Sequence, residues 1–154
     1  IDKIYTFFED KNLDTEKLES LLNIRENDDF NKLKDEALMG NKNQTNRLLA
    51  DTLLSPEKNV LYLNTINQRL VKILEITKNK EDNIEIAINK LKPPIFWKDK
   101  PKVIIQAKKW NQEKIQTLLK KTYDLEIEIK SNTLSNKNIL IRKLLVDMCE
   151  LANS

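Results

Sequence analysis

The sequence predicts an all-α fold, and three observations lead to this prediction. The 154 residues include one glycine and four prolines, so few positions interrupt a helix. Apolar residues recur at intervals of three and four along most of the chain, which is the spacing of one helix face. A chain of this length can also bury a hydrophobic core without disulfides or metals. We therefore expect a bundle of helices.

The N-terminal part predicts two early helical segments. Residues 1–9 carry apolar residues at helical spacing without a start signal, as the end of a helix that begins upstream would. Asp14 or Thr15 then predicts the N-cap of a short helix, because either side-chain oxygen can accept a hydrogen bond from a free backbone N–H. The apolar residues of that helix share one face and are Leu18, Leu21 and Leu22.

A longer helical pattern follows. Asn27 or Asp28 predicts its N-cap, and Gly40 predicts its end, because glycine adopts the left-handed conformation that closes many helices. Its apolar stripe consists of Phe30, Leu33, Ala37 and Leu38. A further helix is expected over residues 43–54.

The clearest helix start is Ser55 followed by Pro56. Ser55 is suited to accept a capping hydrogen bond, and Pro56 suits the first helical position, where its missing N–H costs nothing. Apolar residues continue at helical spacing over 60–74, and the helix is predicted to end near Lys78.

The second half predicts shorter helices separated by a proline-rich turn. Two consecutive prolines in residues 92–97 impose an extended or turn backbone. Residues 84–88 and 125–129 alternate with period two and could form strands, but a two-stranded sheet alone is marginal, so helix is favoured for both. Helix starts are predicted at Asp82 or Asn83, Pro101, Asn111 and Ser135.

The composition excludes several kinds of chemistry. The chain has no histidine, which removes His-based acid–base catalysis, the usual nucleophile–His pairs and the usual zinc and iron sites. The single glycine excludes a glycine-rich phosphate loop. Cys149 stands alone in an apolar helical pattern, so we expect a buried, inert thiol and no intrachain disulfide. We expect no catalytic residue, no cofactor, no metal, no membrane segment and a cytoplasmic location.

Charge is unevenly distributed, and residues 90–121 are the most basic segment. Ten lysines stand there against Asp99 and Glu113, and Trp97 and Trp110 lie among them. Lysines neutralise phosphates and exposed aromatic rings stack on bases, so nucleic-acid binding is one interpretation. The other is the solvated face of two helices, because the whole chain uses lysine far more than arginine. The candidate phosphate contacts are Lys98, Lys100, Lys102, Lys108 and Lys109.

Ile95, Phe96 and Trp97 are the candidate partner interface, because exposed aromatic residues beside prolines often mark a docking patch. Alternatively, these side chains fold back and close one end of the bundle. That alternative is favoured for Phe96, while both stay open for Trp97. Trp110 lies on the apolar stripe of its helix and is predicted to be core.

Short motifs follow one another in order over residues 28–151. They are Asp-Glu-Ala-Leu-Met-Gly-Asn at 35–41, the leucine pairs at 48–49 and 53–54 before Ser55-Pro56, Ile-Asn-Gln-Arg-Leu at 66–70, Leu-Lys-Pro-Pro-Ile-Phe-Trp-Lys at 91–98, Gln-Ala-Lys-Lys-Trp at 106–110, and Glu126 with Lys130. Together they resemble the C-terminal part of the delta subunit of bacterial DNA polymerase III, a clamp-loader subunit. One departure is Asn41, where the family has aspartate.

The resemblance implies a helical bundle of the clamp-loader collar type over residues 25–154, preceded by a remnant of a helical lid domain at 1–24. It implies assembly with the collars of gamma/tau and delta-prime type subunits, with DNA only near the assembled complex. It also implies that this chain neither binds the sliding clamp nor carries catalysis, although the parent holoenzyme is a DNA-directed DNA polymerase. The alternative is a basic helical nucleic-acid-binding domain.

Overall fold

The computed structural model describes residues 11–79, 83–92, 94–131 and 137–154. Within these ranges the chain forms seven α-helices and a short 3₁₀ turn, and no strand, which confirms the all-α prediction. The helices are α1 (Lys11–Leu38), α2 (Lys42–Asp51), α3 (Asn59–Lys78), α4 (Ile84–Asn89), α5 (Lys100–Lys109), α6 (Gln112–Ser131) and α7 (Asn138–Asn153). Both stretches with period two are helical, in α4 and α6. The predictions for residues 1–9, Asp82 and Ser135 lie outside the described residues.

Helix α3 lies at the centre of the fold and packs against α4, α5, α6 and α7. Its inner face is fully buried. A large core joins α3 to the C-terminal half of α1, to α6 and to α7. A smaller core joins the end of α3 to α4 and α5, and its buried side chains are Ile76, Ala87, Ile88, Leu91, Ile95, Val103 and Ala107. Cys149 is buried in the large core, as predicted.

Helix α1 differs from the prediction, because one continuous helix of 28 residues replaces the two that were expected. The predicted starts at Asp14 or Thr15 and at Asn27 or Asp28 are therefore wrong. No glycine or proline occurs between residues 11 and 38, and Asn or Asp inside a helix costs only a fraction of a kcal/mol relative to Ala. A capping residue permits a helix to start, but it does not force the preceding helix to end.

The first half of α1 makes few contacts with the rest of the protein. All side chains over residues 15–25 are exposed, and burial begins where Lys58 Nζ lies 2.9 Å from a carboxylate oxygen of Glu26. This hydrogen bond and the charge of Lys58 hold the pKa of Glu26 below its usual range. The helix runs without interruption through the predicted domain boundary at residue 24, and that boundary stays a prediction.

The end of α1 follows the prediction. Gly40 has a φ of 73°, the left-handed conformation that glycine adopts at little cost. Its N–H donates to the Ala37 carbonyl, and the N–H of Asn41 donates to the Glu36 carbonyl, each at 3.1 Å. This pair of bonds is a Schellman motif. The side chain of Asn41 then accepts a hydrogen bond from the N–H of Gln44 and caps α2.

The entry into α3 is only partly as predicted. Pro56 begins a 3₁₀ turn that leads into α3, and α3 ends at Lys78 as expected. Ser55 makes no side-chain cap, so that prediction is wrong. Its hydroxyl donates instead to Glu26, and its N–H donates to the hydroxyl of Tyr62, because both partners come within reach only in the folded chain.

The start of α6 and the position of Trp110 are both as predicted. Asn111 caps α6, since its side-chain oxygen accepts a hydrogen bond from the N–H of Lys114 at 2.8 Å. Trp110 is 1 % exposed, and its indole N–H donates to the carbonyl of Leu38 at 2.7 Å. A residue just after α5 therefore closes the end of α1.

We predict that Trp110→Phe destabilises the protein by about 2 to 3 kcal/mol, because the carbonyl of Leu38 loses its buried donor and a small cavity forms. The measurement is urea unfolding followed by circular dichroism. Trp97→Phe is the matched control at an exposed tryptophan and should change the free energy of unfolding by less than about 0.5 kcal/mol. Equal effects of the two variants would contradict this account.

We also predict that Gly40→Ala costs about 1 to 2 kcal/mol, because alanine is strained at positive φ. A methyl group there would also overlap the side-chain oxygen of Asn153. Asn153→Ala removes that overlap but also the hydrogen bond from Asn153 to the Gly40 carbonyl, so it is the reference for the double variant. Gly40→Ala should cost less in the Asn153→Ala background than in wild type, and the cost that remains there is the backbone strain. Ser20→Ala on exposed α1 is the control and should be near neutral in the same unfolding assay.

Candidate interaction surface

Between α4 and α5 the chain presents two large aromatic side chains to solvent. Phe96 is 58 % exposed and Trp97 is 67 % exposed, with their ring centroids 5.9 Å apart. The ammonium of Lys98 lies 5.4 Å from the centre of the Trp97 ring, within the range of a cation–π interaction. We call Phe96, Trp97 and Lys98 the aromatic turn.

Residues on both sides of the aromatic turn contact the rest of the fold. On one side Ile95 is buried in the smaller core, so it anchors the turn and is not part of its exposed surface. On the other side the N–H of Asp99 donates to the carbonyl of Phe96 at 2.9 Å, and Asp99 lies 3.9 Å from the guanidinium of Arg69. The expectation that Phe96 closes the end of the bundle is wrong, because Ile95 occupies the apolar position and the next two residues project outward.

The five candidate phosphate contacts point in different directions. Lys100 reaches Asn89 of α4 at 3.2 Å, and Lys109 reaches Asn153 of α7 at 3.1 Å. Lys102 lies 3.9 Å from Asp35 of α1. Lys98 lies over Trp97, and Lys108 is exposed on the outer side of α5. Phosphate binding by these residues stays a prediction, and only Lys98 stands beside an exposed ring.

A buried polar cluster joins α1, α3 and α5 beneath the aromatic turn. Asp35 is 3 % exposed, and one of its carboxylate oxygens lies 3.3 Å from Arg69 and 3.2 Å from the side-chain N–H of Gln106. Gln106 also accepts a hydrogen bond from Arg69 at 3.2 Å. Sequence reasoning missed this cluster. The sequence feature that could have revealed the cluster is Gln106. It is a polar residue on the apolar stripe of α5, so its side chain needs a buried hydrogen-bond partner.

A second exposed apolar surface lies on α1. Leu18, Leu21 and Leu22 are 60 %, 62 % and 56 % exposed, and their spacing places them on one face of the helix. We call these three residues the leucine face. The sequence predicted their common face correctly, but periodicity alone could not tell whether the fold buries it.

No group of three or more acidic or cysteine side chains in the described ranges could hold a metal ion. The described helices include none with both the length and the apolar character needed to cross a membrane. Comparison of the chain with protein-family models, with curated proteins and with solved structures gives no match.

Lys34 is a buried cation next to the polar cluster. Its ammonium lies 3.1 Å from the side-chain oxygen of Asn31 and 3.9 Å from Asp35. Burial lowers the pKa of Lys34 from 10.5 to about 8, and the positive charge of Arg69 acts in the same direction. The negative charge of Asp35 opposes this effect only in part.

We predict that the stability of the protein rises between pH 8 and pH 10, because the unfolded chain still binds a proton at Lys34 that the folded chain has lost. The pKa difference corresponds to roughly 3 kcal/mol over its whole range. Lys34→Met should remove this rise and should stabilise the protein at pH 7, as measured by urea unfolding. Lys32→Met, at an exposed site on the same helix, is the control. An identical pH profile in Lys34→Met and wild type would contradict the prediction.

Proposed function

We propose that this chain is an assembly domain: a helical bundle of the clamp-loader collar type, from the C-terminal part of a DNA polymerase III delta subunit, without catalysis of its own. One observation carries the proposal. Two motifs of the resemblance, residues 35–41 and 106–110, build one joint in the fold. Gln106 donates to the backbone and side chain of Asp35, and Trp110 donates to the carbonyl of Leu38.

This contact supports the proposal because each motif is too short to be specific by itself. The two motifs are 71 residues apart in sequence, yet their polar residues satisfy one another in a buried site. The Gly-Asn pair that ends the first motif also has a structural role, since Gly40 ends α1 and Asn41 caps α2. The resemblance therefore involves residues that determine how three helices are joined.

Exposed apolar side chains are the second support for an assembly domain. Large contiguous apolar patches on a protein surface mark interaction sites, and permanent interfaces are as apolar as a domain core. Besides the two surfaces already named, large hydrophobic residues are exposed at Ile24, Leu53, Leu61, Val71, Ile86, Ile105, Tyr123, Ile127 and Ile139. In the proposed role, collars of gamma/tau and delta-prime type subunits cover part of this surface, and neither the clamp nor ATP binds to this chain.

Nucleic-acid binding is the second candidate function, and the aromatic turn is the observation that favours it. Two exposed rings beside a lysine are suited to stack on unpaired bases and to neutralise a phosphate. The divergence of the other four lysines weighs against an extended basic groove. We therefore place assembly first.

We predict that the chain forms a stable complex with the C-terminal domains of its cognate gamma/tau and delta-prime type partners. The measurement is size-exclusion chromatography with light scattering, on the chain alone and on mixtures. The complex should persist when salt is raised, because apolar burial depends little on ionic strength, whereas binding of single-stranded DNA should fall steeply.

The same experiment separates the two functions through matched variants. Leu61→Ser, Ile105→Ser, Ile127→Ser and Ile139→Ser test four exposed positions, on α3, α5, α6 and α7. At least one of them should weaken the complex while the unfolding free energy is unchanged. The assembly function is contradicted if the chain is folded but forms no mixed complex with the partner domains. If the chain then binds single-stranded DNA and Trp97→Ala loses that binding, nucleic-acid binding is the function instead.

A further inference from the structure

Helices α6 and α7 form an antiparallel hairpin with a groove between them. At one end of the hairpin Lys114 of α6 donates to the carbonyl of Ser154 at 2.6 Å, and at the other end Lys137 donates to the carbonyl of Ile129. Between these ends lie two adjoining cavities of about 360 Å³ and 240 Å³, and Asp147 lines both of them. We call the two cavities together the hairpin groove.

The floor of the hairpin groove is apolar. It consists of buried and half-buried leucines, which are Leu125 of α6 and Leu140, Leu144 and Leu151 of α7. On α7 the leucines are four and seven residues apart, so they form one stripe that is about 16 Å long at a rise of 1.5 Å per residue. A groove with such a floor between two helices is suited to receive the apolar face of a third helix.

One acidic residue interrupts the leucine stripe of α7. Asp147 comes three residues after Leu144 and four before Leu151, so its half-buried carboxylate lies in the middle of the groove. Lys121 and Lys143 line the same part of the groove, yet among the described residues no side chain forms an ion pair or hydrogen bond with this carboxylate. An occupant that displaces water from Asp147 must supply a cation, because a desolvated charge without a partner is costly.

The other carboxylates of the groove favour a cationic occupant as well. Asp124 and Glu128 lie one helical turn apart on α6, and Asp147 and Glu150 lie one turn apart on α7. Like charges at this spacing repel each other, and within the described part of the chain none of the four forms an ion pair. The lining contains four acidic residues and two lysines, although the whole chain has a net charge of +3. A positively charged partner is therefore complementary to this surface.

We propose that the hairpin groove binds an amphipathic helix of a partner protein. The apolar face of that helix covers the leucine floor, and a lysine or arginine in the middle of the same face pairs with Asp147. The partner helix thus packs beside α6 and α7 as a third helix. This inference goes beyond the proposed function, because it names a surface and the chemistry of its partner, and it does not depend on whether the partner is a clamp-loader collar.

Two synthetic peptides test the inference. Both are helix-forming sequences of about 18 residues, which is long enough to cover the groove. They carry leucines at helical spacing and differ only at the central position of the apolar face, which is lysine in one peptide and glutamate in the other. The lysine peptide should bind the intact chain at least about tenfold more tightly than the glutamate peptide, as measured by fluorescence anisotropy, because only lysine neutralises Asp147.

Reversing the charge in the groove gives the sharpest test. Asp147→Lys should reverse the preference, so that the glutamate peptide binds about tenfold more tightly than the lysine peptide. Glu75→Lys is the matched control, because it makes the same change of charge at an exposed acidic residue of α3. The control should leave both dissociation constants within about twofold of the wild-type values. Thermal unfolding followed by circular dichroism shows whether each variant is folded.

A further variant tests the apolar floor, and three results would overturn the proposal. Leu125→Ala should weaken the binding of both peptides without changing the preference for lysine. Binding of neither peptide below about 1 mM would contradict the proposal, as would equal affinity for the two peptides or an equal effect of Asp147→Lys and Glu75→Lys. Light scattering on the chain alone tests another occupant. If copies of the wild-type chain pair and Asp147→Lys separates them, a second copy covers the groove and the proposal is wrong.

Discussion

The fold depends on the hydrogen bonds that the last carbonyls of α1 accept inside the core. The last four carbonyls of a helix lack partners within the helix, and buried polar groups without partners are costly. Here Met39 and Gln106 donate to the carbonyl of Asp35, while Asn41 and Gly40 donate to those of Glu36 and Ala37. The indole of Trp110 supplies the last donor, to Leu38. One residue from a distant segment thereby completes a helix end, and this brings α5 against α1.

The contact between the C-terminal end of α1 and α5 also determines which nearby charged side chains are directed into the protein. Asp35 is buried and attracts Arg69 and Lys102, so part of the basic character of the 90–121 segment is directed inward. This arrangement disfavours the charged form of Lys34, because its ammonium is desolvated and lies near the guanidinium of Arg69. Only Lys102 of the basic segment is drawn toward Asp35, while most of its other lysines stay exposed, together with a pair of aromatic rings.

The two exposed apolar surfaces of this protein have different structural causes. The aromatic turn is exposed because Ile95 and Asp99 secure the backbone on either side of it. The leucine face is exposed because α1 continues for several turns beyond the last side chain that the core covers.

The all-α class, the closure of α1 at Gly40, the cap of α6 at Asn111, the end of α3 and the buried position of Trp110 were all predictable from the sequence. Most of these depend on hydrogen bonds between residues within about four positions or on the period of a helix face, so the chain itself carries the information. The continuity of α1, the partners of Ser55, the Asp35–Arg69–Gln106 cluster and the exposure of Phe96 were decided only by the tertiary structure. Each of these depends on which group lies across space, and hydrophobic spacing identifies a face without stating whether the fold covers it.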